Sequence, residues 1–357
     1  MTATSAVTMQ DLAGRVAHAA PPSFTLTLCF GDYGLTIASN CAPVLEKLRC
    51  IYRSFVADAP AGRVMTIVDG VASDPGLPAA SRLARPIEDD SDDEVYDLPD
   101  ARIIWKRSKG ILFASGDSGE LAILPCGKHG DKLVNFINSR YIQWQLYKGG
   151  VLAHASSVRS ERKGLVVTGS ASAGKTTLAF RLLDAGSRLV GKDNLIVRRE
   201  HGELRMYGTP APPRVNPGTA LHNPRLRPIL DAAYAEKLER LSTEELWEVG
   251  KKHEVAVEEL YGPGATAADG PADGIVVLNW HHGAGATRIE RVSLAQRADL
   301  LRILMKPRGV FYRPASGFAE SEPDTSTYLD VLGDCPAYEI TGGIDFEHAA
   351  TYCAGLL

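Results

Sequence analysis

The sequence predicts an α/β protein with two domains, and three observations support this prediction. The chain has 357 residues, which is enough for about two domains of ordinary size. Its first third alternates short apolar strands with a helix, the pattern of a small α+β module. Near residue 164, an apolar strand, a glycine-containing loop and a helix follow one another directly. We therefore expect an N-terminal α+β domain over residues 1–125 and a larger domain over residues 126–357.

The composition is that of an ordinary globular protein, with 45% hydrophobic and 23% charged residues. A formal net charge of −4 provides no broad basic surface, which argues against general nucleic-acid binding. No apolar run reaches the ~20 residues of a membrane-spanning helix, and residues 1–10 lack the features of a secretory signal. The six cysteines are scattered, without a disulfide or metal-ligand pattern. We expect a cytoplasmic protein that binds neither nucleic acid nor membranes.

The N-terminal domain is predicted to contain a hairpin, a helix and an acidic loop. Alternating apolar residues predict two strands, over Phe24–Phe30 and Leu35–Ser39. Ser39 or Asn40 is expected to cap the helix that follows. Between residues 88 and 100 the chain has eight acidic residues. Because clustered like charges repel, a solvated loop is favoured there over an acidic binding tail or a metal site.

The most specific motif in the chain follows the apolar run at residues 165–167. It reads Gly169-Ser170-Ala171-Ser172-Ala173-Gly174-Lys175-Thr176, a complete G-x-x-x-x-G-K-[ST] match with a strand before it and a helix after it. The glycines let successive backbone N–H groups point inward, and the helix N-terminus adds partial positive charge. Lys175 supplies a full charge for the phosphates, and the Thr176 hydroxyl is placed to ligate Mg²⁺. We therefore predict nucleotide binding by residues Gly169 through Thr177.

Two further residues complete the predicted site. The strand predicted at Gly274–Leu278 ends without an acidic residue, so it does not supply the second metal ligand that most proteins with this motif have. The nearest suitable acid is Asp193, which lies between two apolar runs shortly after the motif helix. His154 stands just before the motif strand. A hydrogen bond between His154 and Asp193 would orient the carboxylate and tune its basicity.

These features together resemble the catalytic domain of the HPr kinase/phosphorylase family, whose fold is akin to that of phosphoenolpyruvate carboxykinases. In that family a histidine precedes the P-loop strand, and a segment ending in Asp-Asp follows the P-loop helix. Here that segment runs from Ala185 to Asp193. The sequence is most similar to the bacterial HPr kinase-related kinase B proteins, and the shared stretches are Asn135–Asn138, His154-Ala155 and Pro213–Leu221. The wider resemblance covers about residues 150–200, and the kinase B resemblance runs from the first hairpin almost to the C-terminus.

The resemblance implies a P-loop kinase domain of the HPr kinase/phosphoenolpyruvate carboxykinase type, preceded by the smaller α+β domain. The expected activity is ATP-dependent phosphorylation of a Ser or Thr hydroxyl in a peptide or small protein. Asp193 would accept the hydroxyl proton and share Mg²⁺ with Thr176, while His154 orients Asp193 and Lys175 neutralises the phosphates. Arg214 lies in a Pro/Gly-rich loop, where it would neutralise transition-state charge or simply belong to a turn. Hexamers in the resembled family imply self-association.

One position departs from the family's pattern, because Lys192 stands where the first Asp of the pair is expected. With a single acid, we do not expect the reverse phosphorylase reaction. Lys192 either stabilises phosphate charge or faces solvent at a strand edge. Two alternatives to a protein kinase stay open: a small-molecule kinase, and an adaptor that senses nucleotide without transferring phosphate. The sequence does not distinguish ATP from GTP.

Two segments of the second domain carry structural signals only. Ser242 and Glu245 form a capping box, which predicts a helix that runs to about Leu260. Residues 262–274 are rich in glycine and proline. They predict a surface connector, with a lid over the substrate as the alternative.

Overall fold

The structure, a computed structural model, describes residues 8–77, 81–83, 93–314 and 321–357. It is a mixed α/β protein whose chain divides into two units. The N-terminal unit consists of the residues up to Trp144 together with Arg308–Ser321, and the C-terminal unit consists of Gln145–Pro307 and Glu322–Leu357. Among the described residues, no helix combines the length and apolar character needed to cross a bilayer.

The N-terminal unit is built around one sheet. Its helices are α1 (Met9–Ala19), α2 (Ala42–Ile51) and most of α3 (Cys126–Tyr147). Its strands are β1 (Phe24–Phe30), β2 (Tyr33–Ser39), β3 (Val56–Ala57), β4 (Arg63–Asp69), β5 (Asp93–Asp97), β6 (Ala101–Lys106), β7 (Ile111–Gly116) and β8 (Gly119–Leu124). The strand order is β3-β1-β2-β4-β8-β7-β6-β5. The pairs β2–β4 and β4–β8 are parallel, and all other neighbours in the sheet are antiparallel.

The predicted hairpin is present, with β1 and β2 paired from Phe24↔Ser39 to Phe30↔Tyr33. The predicted cap of α2 is wrong, because the N-cap residue is Cys41 and makes no side-chain capping bond. The Ser39 hydroxyl instead accepts from the Cys41 N–H at 3.1 Å, and the Asn40 side chain accepts from a backbone N–H of β4 at 2.9 Å. Both side chains that were expected to cap the helix are therefore engaged elsewhere.

Part of the acidic stretch forms strand β5 and is buried. Asp93 and Glu94 are less than one-tenth exposed. They form ion pairs with Lys106 and Arg107, which lie at and just after the end of the neighbouring strand β6. The predicted solvated loop is therefore wrong for these residues, because the adjacent segment supplies the opposite charges. Residues 88–92 of the stretch lie outside the described residues.

Helix α3 and the returning segment Arg308–Ser321 both belong to the N-terminal unit through aromatic contacts. Phe136 of α3 stacks on Phe113 of β7 with 4.6 Å between ring centroids. Phe311 contacts Phe113 at 5.6 Å and Phe136 at 5.5 Å, and the Arg140 guanidinium donates to the Phe311 carbonyl. This packing explains why the boundary between the units lies after Trp144, near the end of α3. The sequence predicted a domain boundary after residue 125, before α3.

The C-terminal unit contains two sheets and a short ribbon. Its helices are α4 (Lys175–Asp184), α5 (Pro217–Leu221), α6 (Ala232–Glu239), α7 (Thr243–Glu248), α8 (Val257–Tyr261), α9 (Ala298–Leu304), α10 (Thr325–Leu332) and α11 (Phe346–Leu356). Its strands are β9 (Val151–Ala153), β10 (Ala155–Arg159), β11 (Gly164–Gly169), β12 (Arg188–Gly191), β13 (Leu195–Glu200), β14 (Glu203–Gly208), β15 (Arg214–Val215), β16 (His253–Glu254), β17 (Asp269–Pro271), β18 (Gly274–Leu278), β19 (Arg288–Val292) and β20 (Ala337–Thr341).

The six-stranded sheet has the order β12-β10-β11-β18-β20-β19. Its three central strands, β11, β18 and β20, are parallel, and the outer strands are antiparallel to their neighbours. The second sheet has the order β17-β14-β13-β9, and β15 pairs with β16 as a separate ribbon. Leu178, Phe180 and Leu182 of α4 are fully buried in the core cluster that also contains residues of β11 and α11. The strand, loop and helix of the glycine motif thus occupy the centre of this unit.

The predicted helix from residue 243 to about residue 260 is interrupted. The capping box of Ser242 and Glu245 is present and starts α7. That helix ends at Glu248, however, and the chain then forms β16 before α8 begins at Val257. The interruption has a structural role, because β16 pairs with β15 and so brings residues near 253 next to residues near 214.

Residues 262–274 are fixed to the body of the unit, so the alternative of a lid is wrong. The Glu258 carboxylate accepts from the backbone N–H groups of Gly264 at 2.6 Å and Thr266 at 2.9 Å. Thr266 also forms a parallel bridge with Leu189, and strand β17 within this segment pairs with β14. Strand pairing and the Glu258 carboxylate therefore hold this segment against the rest of the unit, as expected for a connector.

We expect Lys106→Gln to lower the free energy of unfolding by about 3 kcal/mol, because it leaves the buried Asp93 carboxylate without its compensating charge. Chemical denaturation at neutral pH measures this change. Lys128→Gln is the matched control, since Lys128 is exposed at the start of α3, and it should change the same quantity by less than about 0.5 kcal/mol. Equal effects of the two substitutions would contradict the burial of Asp93 with Lys106.

Candidate functional site

The glycine motif forms a tight loop between β11, which ends at Gly169, and α4, which begins at Lys175. Gly174 is the N-cap of α4 and has a φ of +91°, a conformation that favours glycine. A Cβ at Gly174 would also lie 2.4 Å from Cζ of Phe346, and a Cβ at Gly169 would lie 2.9 Å from the carbonyl oxygen of Leu278. Both glycines are therefore required by close approach of neighbouring groups.

An aromatic pair supports the loop from the adjacent part of the sheet. The indole N–H of Trp280, two residues beyond β18, donates to the carbonyl of Ala173 at 2.9 Å. Its ring contacts Phe346 edge to face, with 4.9 Å between centroids. Trp280 thus occupies the region where many nucleotide-binding proteins place a second acid, while Asn279 donates to Glu339 at 2.7 Å. Trp280 and Phe346 belong to no local motif, so the sequence alone does not indicate their role.

Lys175 is buried at the start of α4, with 7% of the residue exposed. Its ammonium donates to the carbonyl groups of Gly169 and Ser170, both at 2.9 Å. Burial lowers the pKa of Lys175 to about 8, although the nearby Asp193 carboxylate partly opposes this shift. The ammonium is thus partly desolvated and hydrogen-bonded to neutral acceptors, a state in which a phosphate oxygen is a favourable partner.

The loop opens onto a cavity of about 320 Å³. Nine of the residues predicted from the sequence line it, and they are His154, Ala171, Ser172, Gly174, Lys175, Thr176, Thr177, Asp193 and Arg214. The other three predicted residues, Gly169, Ser170 and Ala173, belong to the same loop and contribute the carbonyl groups described above. Among the lining residues that the sequence analysis did not single out are Arg181, Thr219, Lys252 and Phe346.

Asp193 lies on a strained turn between β12 and β13. Its φ is +63°, and the N–H of Asn194 donates to the carbonyl of Lys192 at 2.7 Å, which together define a γ-turn centred on Asp193. A non-glycine residue in this conformation costs on the order of 1–3 kcal/mol unless its surroundings hold it there. The Lys306 ammonium donates to the Asp193 carbonyl at 2.8 Å. This contact stabilises the turn that presents the Asp193 carboxylate to the cavity.

Lys192 forms an ion pair with the Asp193 carboxylate, with 2.7 Å between Nζ and Oδ2. The Lys192 side chain is only 11% exposed, so the alternative that it faces solvent is wrong. Burial tends to raise the pKa of Asp193, but the Lys192 ammonium, followed by Lys306 and Lys252, holds this pKa below its usual range. Asp193 is therefore an ionised carboxylate within a group of lysines.

The backbone segments that carry Lys306 and His154 are hydrogen-bonded to each other. The His154 N–H donates to the Leu304 carbonyl at 2.8 Å, and the Lys306 N–H donates to the Leu152 carbonyl at 3.1 Å. Tyr328, only 1% exposed, donates its hydroxyl proton to the Leu152 carbonyl and accepts from the Lys306 N–H at 3.2 Å. Lys306 follows α9 without any recognisable motif, which is why the sequence analysis missed it.

His154 is neutral at neutral pH. Burial, the Lys175 ammonium and the Lys306 ammonium together lower the pKa of its imidazole to about 4. Within the described residues the Asp193 carboxylate pairs with Lys192, and the predicted hydrogen bond from His154 to Asp193 is not formed. A role for His154 in orienting Asp193 therefore stays a prediction.

No protein-family model and no curated protein matches this chain. Among solved structures, the chain is similar to the Hpr(Ser) kinase/phosphatase from Coxiella burnetii, with 13% sequence identity and a TM-score of 0.30. The similarity covers 57% of this chain and 87% of that one. It is a distant similarity, and the resemblance to kinase B proteins remains a prediction from the sequence.

We expect the His154 imidazole to titrate near pH 4, and we expect Lys306→Met to raise this pKa, because it removes one of the ammonium groups that oppose protonation. NMR titration of the histidine ring resonances measures both values. The unfolded chain binds this proton near pH 6.5 and the folded chain near pH 4. The free energy of unfolding should therefore fall as the pH decreases between these values.

The control for this titration is Lys237→Met, because Lys237 is exposed on α6 and does not line the cavity. It should leave the His154 titration unchanged. A midpoint near 6.5 in the parent protein, or equal midpoints in the parent and Lys306→Met, would contradict the electrostatic description of the cavity.

Proposed function

We propose that this protein is an ATP-dependent phosphotransferase that phosphorylates a Ser or Thr hydroxyl of a peptide or small protein. The observation that carries this proposal is that residues of the glycine-motif loop, among them Lys175 and Thr176, line the same cavity as the carboxylate of Asp193. The loop supplies a site for the phosphates of the nucleotide. The carboxylate supplies a proton acceptor and a metal ligand beside them.

The nucleotide phosphates would bind at the N-terminus of α4. There the backbone N–H groups of the loop and the positive end of the helix dipole favour an anion. The Lys175 ammonium, now bonded to the loop carbonyls, would turn to the β- and γ-phosphates. Arg214, exposed on β15 and lining the cavity, would neutralise charge that develops during transfer.

The residues present fit a magnesium ion that arrives with the nucleotide. Thr176 and Asp193 offer a hydroxyl and a carboxylate oxygen in one cavity, and Mg²⁺ prefers such oxygen ligands together with phosphate oxygens and water. Among the described residues, no group of three or more His, Cys, Asp or Glu side chains could hold a metal ion without the nucleotide. Thr176 and Asp193 would therefore hold Mg²⁺ jointly with the phosphates, where the ion neutralises phosphate charge.

Asp193 would accept the proton of the acceptor hydroxyl as that oxygen attacks the γ-phosphorus and the nucleoside diphosphate leaves. The lowered pKa keeps the carboxylate ionised but also makes it a weaker base. Lys192 is then well placed to stabilise charge, because its ammonium lies 2.7 Å from the carboxylate. His154, as a neutral imidazole, would be able to accept a hydrogen bond from the acceptor or from water.

A second candidate function is a nucleotide-sensing adaptor that transfers no phosphate. It is favoured by the Lys192–Asp193 ion pair, because this pair occupies the carboxylate that the transfer reaction requires. Nucleotide consumption by the pure protein in the presence of candidate acceptors distinguishes the two functions. A kinase consumes nucleotide only when an acceptor is present, whereas the adaptor binds nucleotide and consumes none.

We expect Lys175→Ala to abolish binding of Mg²⁺–ATP while the fold is retained. The substitution removes the charge that faces the phosphates and leaves the buried apolar face of α4 intact. Isothermal calorimetry measures the affinity, and thermal unfolding checks the fold. Lys163→Ala is the control, because Lys163 is exposed just before β11. The Lys163→Ala protein should bind ATP like the parent. Unchanged affinity in a folded Lys175→Ala protein would contradict the assignment of the loop.

We expect Asp193→Asn to retain much of the nucleotide binding but to reduce phosphotransfer by ~10²–10⁴ or more, the range typical of general-base catalysis. The amide is nearly isosteric with the carboxylate but cannot accept the proton. The assay is transfer of labelled γ-phosphate to proteins of the cognate lysate. Lys192→Ala provides the contrast. Its rate of phosphotransfer should fall if the Lys192 ammonium stabilises phosphate charge, and should rise if the ion pair restrains Asp193.

Two results of this assay would contradict part or all of the proposal. An Asp193→Asn protein as active as the parent would require a different base. A parent protein that binds ATP but labels nothing in the lysate would favour the adaptor.

A further inference from the structure

The ribbon β15–β16 brings two cations to the exposed side of the cavity. Arg214 lies in β15 and Lys252 immediately precedes β16; both residues are exposed, and both line the cavity. Arg214 pairs in register with Glu254, so the two strands hold Arg214 and Lys252 on one small scaffold. Within the described part of the chain, neither Arg214 nor Lys252 forms a salt bridge.

A bound nucleotide would balance only part of the positive charge of the site. Lys175, Lys192, Lys306 and Lys252 are four ammonium groups near the single Asp193 carboxylate. A complex of Mg²⁺ with a nucleoside triphosphate carries roughly two negative charges. Together with Asp193, it would offset three of the five positive charges that Arg214 and the four lysines provide. Arg214 and Lys252 are the two exposed members of this group. Glu254 lies in register with Arg214 and offsets part of its charge, which leaves Lys252 as the exposed cation that is available to a second anion.

The basic character continues along the ribbon beyond the cavity. Lys251 precedes Lys252, is exposed and lies with its ammonium 5.5 Å from the centre of the Tyr234 ring. Arg214 and Lys252 line the cavity, and the exposed Lys251 continues the positive charge outside it. This arrangement suits a ligand that carries several negative charges along an extended chain. Such a ligand is a chain segment rather than a compact metabolite. Opposite charges at the rim of a binding site accelerate association and select the partner, and salt screens their effect.

We propose that Lys252, together with Arg214, receives carboxylate groups that flank the phosphoacceptor hydroxyl, so that the acceptor is an acidic peptide segment. Arg214 would in addition face the transferring phosphate during the reaction. This inference rests on the proposed kinase function and specifies its substrate. It assigns Lys252 a role in acceptor selection, which differs from that of Lys175 on the phosphates.

The test compares two synthetic peptides that differ only in the residues flanking a central serine. One has glutamates on both sides, and the other has glutamines. The full-length protein is saturated with Mg²⁺ and a non-hydrolysable ATP analogue, and fluorescence anisotropy measures the affinity for each peptide at low salt. We expect the glutamate peptide to bind roughly fivefold tighter, since each exposed charge pair is worth up to about fivefold. The preference should diminish as salt is added.

Charge reversal makes the test specific for the ribbon. Lys252→Glu should abolish the preference for the glutamate peptide and should bind a lysine-flanked peptide better than the parent does. Lys237→Glu makes the same change in charge on α6, outside the cavity, and should retain the parent's preference. An unchanged preference in Lys252→Glu would overturn the proposal, and so would the lack of any preference, or of any binding, in the parent.

Three further arms separate this inference from the proposed function. Titration with the ATP analogue alone comes first, and failure of that step contradicts nucleotide binding itself. If the glutamate peptide competes with the analogue instead of binding beside it, Lys252 serves the phosphates and the inference is wrong while nucleotide binding stands. If malate binds as tightly as the glutamate peptide and with the same dependence on Lys252, the partner is a small hydroxy acid and the peptide proposal is overturned.

Discussion

The parallel pairing of β11 with β18 fixes the position from which the rest of the site is built. The pairing sets Gly169 opposite Leu278, so both strands end at one edge of the sheet, where ligands of α/β proteins commonly bind. The Leu278 carbonyl leaves no room for a side chain at residue 169, and Trp280 just beyond it reaches the loop carbonyl of Ala173. The shape of the loop is thus determined by its neighbouring strand as much as by its own glycines.

The site brings several positive charges close together in partly buried positions, and their mutual repulsion is unfavourable while no anion is bound. Burial lowers the pKa of Lys175 to about 8, and the surrounding ammonium groups help to lower that of His154 to about 4. Each shift reports that an added positive charge is poorly tolerated at that point. A polyanion relieves this repulsion only in the folded state, so its binding should also stabilise the fold.

The parts of the site that could be predicted from the sequence are those with local patterns. The loop, its preceding strand and its following helix are recognisable because their chemistry depends on spacing within a few residues, and Asp193 could be located from its place after that helix. Lys306 reaches the site from far along the chain through a backbone contact with Asp193, and no pattern near it indicates that role. Asp93 shows the same limitation in the fold, because the charge that allows its burial is on Lys106 of another strand.

The return of residues 308–321 to the N-terminal unit has a consequence for attempts to divide this protein. Phe311 packs against Phe113 and Phe136, so one unit is assembled from two separate stretches of sequence, and the other unit is likewise discontinuous. Removing everything before α3 would leave Phe311 without the Phe113 ring and would expose an apolar surface. A single cut in the chain therefore cannot separate the two units, and a fragment that ends at the first boundary would lack part of its own unit. Separation of the two units would require a redesigned connection that bypasses residues 308–321 instead of a shortened chain.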